Sequence, residues 1–177
     1  CVIQYQPPKG LSDRTKRDMV AFLVQELGMD IWIEGPFIYH STTYGRDLRT
    51  VEDRVKEDHT FLPLHAAAIS GNQPLLDFFF TECGMPVDTC TARSHLTALH
   101  FLALSEKDEK EILPIVKWLV GKKGADANCQ SGESTAATIA FTTGKADVCQ
   151  YLLAQGKRQA ARKRKEEEEE RKKAAAA

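Results

Sequence analysis

Three stretches of this chain follow one plan, and that repetition restricts the fold more than any other feature. The first runs Leu62-Pro63-Leu64-His65-Ala66-Ala67-Ala68, then Gly71, then Leu75-Leu76 and Phe78-Phe79-Phe80, and closes at Gly84. A second has Thr97-Ala98-Leu99-His100, later Ile115-Val116-Lys117-Trp118-Leu119-Val120, then Gly124-Ala125-Asp126-Ala127-Asn128. The third has Thr135-Ala136-Ala137-Thr138-Ile139-Ala140, Gly144, then Val148-Cys149-Gln150-Tyr151-Leu152-Leu153, ending at Gly156. Each reads as a helix of small residues, a turn, a second apolar helix and a glycine stop. A unit of this kind leaves an open hydrophobic face, so several must stack before any is stable.

His65 and His100 stand 35 residues apart, close to the period of about 33 residues seen in ankyrin arrays. With the Gly-Ala-Asp-x-Asn close of the second copy, this part of the chain resembles an ankyrin-repeat protein. The resemblance implies an all-α solenoid of helix-turn-helix units joined by short hairpin fingers. It also implies that His65 and His100 are structural, their imidazoles bonding backbone between units. A degenerate fourth copy precedes the others, with Val20-Ala21-Phe22-Leu23-Val24 as its outer helix, Gly28 as its stop and Ser12 or Asp13 as its N-cap. Gly28, Gly84 and Gly124 share one extra residue between the apolar pair and the glycine. The organisation expected is a capping half repeat over 1–31, an insert over 32–58, repeats over 59–156 and a charged helical tail over 157–177.

The insert carries Trp32, Phe37, Tyr39 and Tyr44 and then a charged run over 46–58. It reads either as a loop covering an end of the stack or as an aromatic docking surface. A shorter excess, Ser105-Glu106-Lys107-Asp108-Glu109-Lys110-Glu111, reads as surface decoration between paired helices.

Net charge is −1 overall, but it divides into −5 over 1–156 and +4 over 157–177. The tail after Gln159 holds only Ala, Arg, Lys and Glu, all strong helix formers, with no apolar stripe to join a core. It reads as a projecting helix laced by charge pairs four residues apart. Arg162, Lys163, Arg164 and Lys165 offer a polyanion contact, with RNA or with an acidic protein surface such as a microtubule. The five glutamates that follow weigh against nucleic acid.

No residues assemble into a catalytic motif. Gly144-Lys145 lacks the rest of a phosphate loop. Cys83, Cys90, His95 and His100 are too widely spaced for a usual zinc site. The expectation is therefore no enzyme, no metal and no cofactor. Five scattered cysteines suit a cytoplasmic or other reducing compartment, and no apolar run reaches membrane-spanning length. The function expected is a protein-interaction scaffold, a subunit of a larger assembly. By the resemblance, the partner would lie on the fingers, at Thr91, Arg93, Ser94, His95, Gln130, Ser131 and Glu133, and on the inner-helix surface, at Ser70 and Thr143. The alternative is a ribonucleoprotein or acidic-surface protein that binds through the tail.

Overall fold

A computed structural model describes residues 12–34 and 60–175. Phe37, Tyr39 and Tyr44 of the insert lie outside these residues. Among these residues the helices are α1 (Asp13–Gln25), α2 (Pro63–Ile69), α3 (Gln73–Asp77, continued by a π-helical turn over Phe78–Glu82), α4 (Ala98–Leu104), α5 (Glu109–Gly121), α6 (Ala136–Thr142) and α7 (Ala146–Ala175). Two short strands, β1 (Gln130–Ser131) and β2 (Ser134–Thr135), pair antiparallel. Inner helices α2, α4 and α6 pack in a row, and outer helices α1, α3, α5 and α7 back them.

The small residues explain the close inner row. Ala67, Ala68, Ala103, Ala136, Ala137 and Ala140 are all buried, so neighbouring backbones approach without side-chain interference. Outer helices supply the bulk through Leu76, Phe78, Phe79, Ile112, Leu119 and Leu152, each contributing about 1.5–3 kcal/mol on burial.

One capping device starts each inner helix. Leu62 N–H donates to His65 Nδ1 at 3.1 Å, and Thr97 N–H to His100 Nδ1 at 3.1 Å. In the third unit Thr135 N–H donates to Thr138 Oγ1 at 2.8 Å, so the threonine takes over the accepting role of the histidine. The other nitrogen of His65 reaches Thr89 O at 3.3 Å and ties α2 to the finger after it. Ser12 caps α1, its side chain accepting from Thr15 N–H at 3.1 Å.

The extra residue shared by three outer helices has a structural counterpart. Leu27, Cys83 and Lys123 donate five residues back, to Phe22, Phe78 and Trp118. Met29, Met85 and Ala125 donate six back, to Leu23, Phe79 and Leu119, at 3.0–3.1 Å. Inner helices close one residue tighter: Asn72 and Lys145 donate five back, to Ala67 and Ala140. Gly28, Gly84 and Gly124 take φ of 64°, 68° and 80° at these wide closures, a left-handed conformation that glycine adopts without the Cβ penalty.

Gly156 does something else. α7 runs through it to Ala175 without a break, so the stop expected there is absent. An added Cβ at Gly156 would stand 2.6 Å from Asn128 Oδ1, and Asn128 Nδ2 donates to Gly156 O at 3.1 Å. The glycine lets the finger base of the second unit press against α7. One turn on, Gln159 accepts from Ala127 N–H at 2.9 Å and donates to Ala125 O at 2.8 Å. The third outer helix and the tail are thus one rod, clamped at the point where the tail begins.

The short excess is also more than decoration. Ser105 is buried, and Lys107 Nζ reaches back to Gly71 O at 3.4 Å, with Asp13 at 3.8 Å and Glu111 at 3.7 Å. It joins the second unit to both the first unit and α1.

Candidate partner-binding surface

Two fingers project between units. In the second, Gln130 pairs with Thr135 and Ser131 with Ser134, leaving Gly132 and Glu133 as a two-residue tip. In the first, Cys90 bridges Thr97, and Thr91 N–H donates to Leu96 O at 3.1 Å. Its tip is therefore the four residues 92–95. His95 closes that tip at φ 54°, a left-handed conformation unusual for a residue with a Cβ.

The hydroxyls expected on the surface are turned inward. Thr91, Ser94 and Ser131 are buried. Thr91 Oγ1 accepts from Leu96 N–H at 3.1 Å and shares a hydrogen bond with Ser94 Oγ at 2.9 Å. Ser131 Oγ donates to Ser94 O and joins the second finger to the first. A short hydroxyl can satisfy tip backbone that has no strand partner, so these three side chains brace the fingers from within.

Arg93, His95, Gln130 and Glu133 are exposed. Ser70 is exposed too, with its Oγ bonded to Ala67 O at 3.0 Å. Thr143 is half-buried, and its Oγ1 reaches Ala103 O of the neighbouring inner helix at 3.0 Å, so it serves stacking as well as surface. Ala66, Thr138, Phe141 and Thr142 are exposed as well, whereas every residue of α4 is buried.

Cys90 Sγ lies 3.9 Å from His95 Nδ1, whereas His100 is held in its cap, its Nδ1 2.9 Å from Thr97 Oγ1. The four Cys and His residues of the string therefore do not converge. Beneath the fingers, burial pushes the Cys129 thiol up to about 11, assisted by Asp88, Asp126 and Cys90. Burial likewise raises Asp88, against the Asp126 N–H that bonds its carboxylate at 3.1 Å. Both features belong to the joint between units.

Arg162, Lys163, Arg164 and Lys165 are exposed on the free length of α7. Arg162 Nε donates to Glu166 at 2.8 Å, so the acidic block draws on one of the cations a polyanion would need, and farther along Lys172 pairs with Glu168 at 2.6 Å. Among the described residues, no helix is long and apolar enough to cross a membrane.

A scan against protein-family models matches ankyrin repeats, in three copies, over residues 64–163. The chain belongs to the ankyrin-repeat family. Ankyrin repeats are modules for protein–protein interaction, and the match covers the stacked units and the start of the tail. A search of the curated proteins and one of the solved structures each find no match.

Proposed function

We propose that this ankyrin-repeat protein is a non-enzymatic interaction scaffold, a structural subunit of a larger assembly. In this reading a protein partner lies across the finger tips and the inner-helix positions Ser70 and Thr143. The observation that carries it is the division of labour in the fingers. Arg93, His95, Gln130 and Glu133 are exposed, while Thr91, Ser94 and Ser131 brace the same loops from beneath. Side chains on such a frame are held in place before binding, which lowers the ordering cost of association.

The test is affinity capture with the full chain, partners being identified by mass spectrometry. Replacing Arg93, His95, Gln130 and Glu133 together by alanine should cut capture of the identified partner at least tenfold, about 1.4 kcal/mol. The melting temperature should stay close to wild type. Undiminished capture would move the site to the insert or the tail, and a chain shortened after Ala161 then separates those two.

A further inference from the structure

Every outer helix carries an aromatic residue just before its apolar pair: Phe22, Phe78, Trp118 and Tyr151. In three of the four it meets the preceding helix. Arg17 of α1 lies over the Phe78 ring at 5.2 Å, Phe80 of α3 meets Trp118 at 6.4 Å, and Lys117 of α5 lies over Tyr151 at 5.9 Å. Phe22 holds the same position on α1, the first described element, and is 56% exposed. Met19 and Glu26 share its face of α1 at helical spacing, and exposed Asp18 stands beside it.

The opposite end of the array has a matching gap. Phe80, Val120 and Leu153 are equivalent, each following a buried residue of the pair. Their exposures are 9%, 7% and 52%. Counted from the start of each inner helix, Ala68, Ala103 and Phe141 are equivalent as well. Both alanines are buried, whereas Phe141 is 74% exposed. Ala103 O accepts from Thr143 Oγ1 and Lys145 Nζ, so this position faces the following unit. A side that is covered twice within the array is therefore left open on the third unit. Its rim is basic, with exposed Lys157 and Arg158 one turn beyond Leu153.

We propose that a second copy of this chain covers that side, so that molecules stack head to tail. Leu153 of one copy meets Phe22 of the next in the way Phe80 meets Trp118 inside the array. Two observations choose this occupant. The contact continues the stacking interface already present between units. The charges also suit it, since Asp18 and Glu26 flank one face and Lys157 and Arg158 the other. Joining two C-terminal faces would instead bring like charges together. Such an interface is heterologous, so each copy keeps one face for a further copy and molecules add beyond a dimer. The finger tips take no part in it.

Sedimentation velocity on the full chain, from low micromolar to sub-millimolar concentration, tests the proposal. The wild-type mean mass should rise with concentration beyond that of a dimer. F22E and L153E should each lose this rise, with unchanged circular dichroism and melting temperature, because both side chains are already exposed. Each variant keeps one intact face, so an equimolar mixture should form a heterodimer and nothing larger. F141E should behave as L153E does. A wild type that stays monomeric, a variant that still assembles, or a mixture that stays monomeric would each overturn the proposal.

Discussion

Gly156→Ala tests why a helix tolerates glycine at its middle. At an ordinary helical position, alanine in place of glycine adds about 0.5–1 kcal/mol of stability. Here the new Cβ would stand 2.6 Å from Asn128 Oδ1 and 3.3 Å from Asn128 Cγ. The amide can swing aside, but the 3.1 Å bond from Asn128 Nδ2 to Gly156 O is then lost, which costs about 1 kcal/mol. The two effects nearly cancel, so G156A alone should change the free energy of urea unfolding by less than about 0.5 kcal/mol. In an N128A background there is no amide to displace, and G156A should stabilise by the full ~0.5–1 kcal/mol. The coupling in the double-mutant cycle should therefore be about 1 kcal/mol. A left-handed helix stop at Gly156 makes the opposite prediction, a loss of about 1–2 kcal/mol in both backgrounds. Additive changes, or a loss in the N128A background, would refute the close-approach account.

Three further outcomes follow from the same packing. His65→Ala strands the buried Leu62 N–H and the Thr89 carbonyl and should cost about 2–5 kcal/mol in chemical denaturation, whereas exposed Thr138→Ala should cost about 1. Truncation after Gly156 removes both Gln159 hydrogen bonds and should lower stability by about 2 kcal/mol relative to truncation after Ala161, readable as a melting shift of roughly 4–8 °C. In the native protein at about pH 8, iodoacetamide should modify exposed Cys90 well before Cys129, whose raised pKa leaves it protonated; peptide mapping reads the order, and equal rates would show that the finger base opens.

The repeat was legible because its cues are local. Small residues, apolar spacing and glycines at 71, 84, 124 and 144 each act within one helix or one turn, and the structure places each as read. Gly156 was not legible, since a stop and a close approach demand the same residue. Only Asn128, 28 positions earlier, tells them apart. The inward turn of Thr91, Ser94 and Ser131 was hidden for a related reason. A hydroxyl in a turn looks solvated until the hairpin decides which way it faces. Thr91 and Ser131 stand at equivalent places in the two fingers, and that recurrence was the available hint of an internal role. Lys107 resembled any charged loop residue, because its partners Asp13 and Gly71 belong to other units.

The unbroken passage of α7 through Gly156 has a mechanical meaning. A flexible tail smears its charges through a volume, whereas a rod keeps each at a fixed bearing. With Gln159 holding the root, residues 160–175 extend roughly 24 Å at 1.5 Å per residue. The order of charges in the sequence thereby becomes an order in space. The cations at 162–165 stay near the array and the glutamates at 166–170 stand farther out, so a neighbour must match both charge and distance.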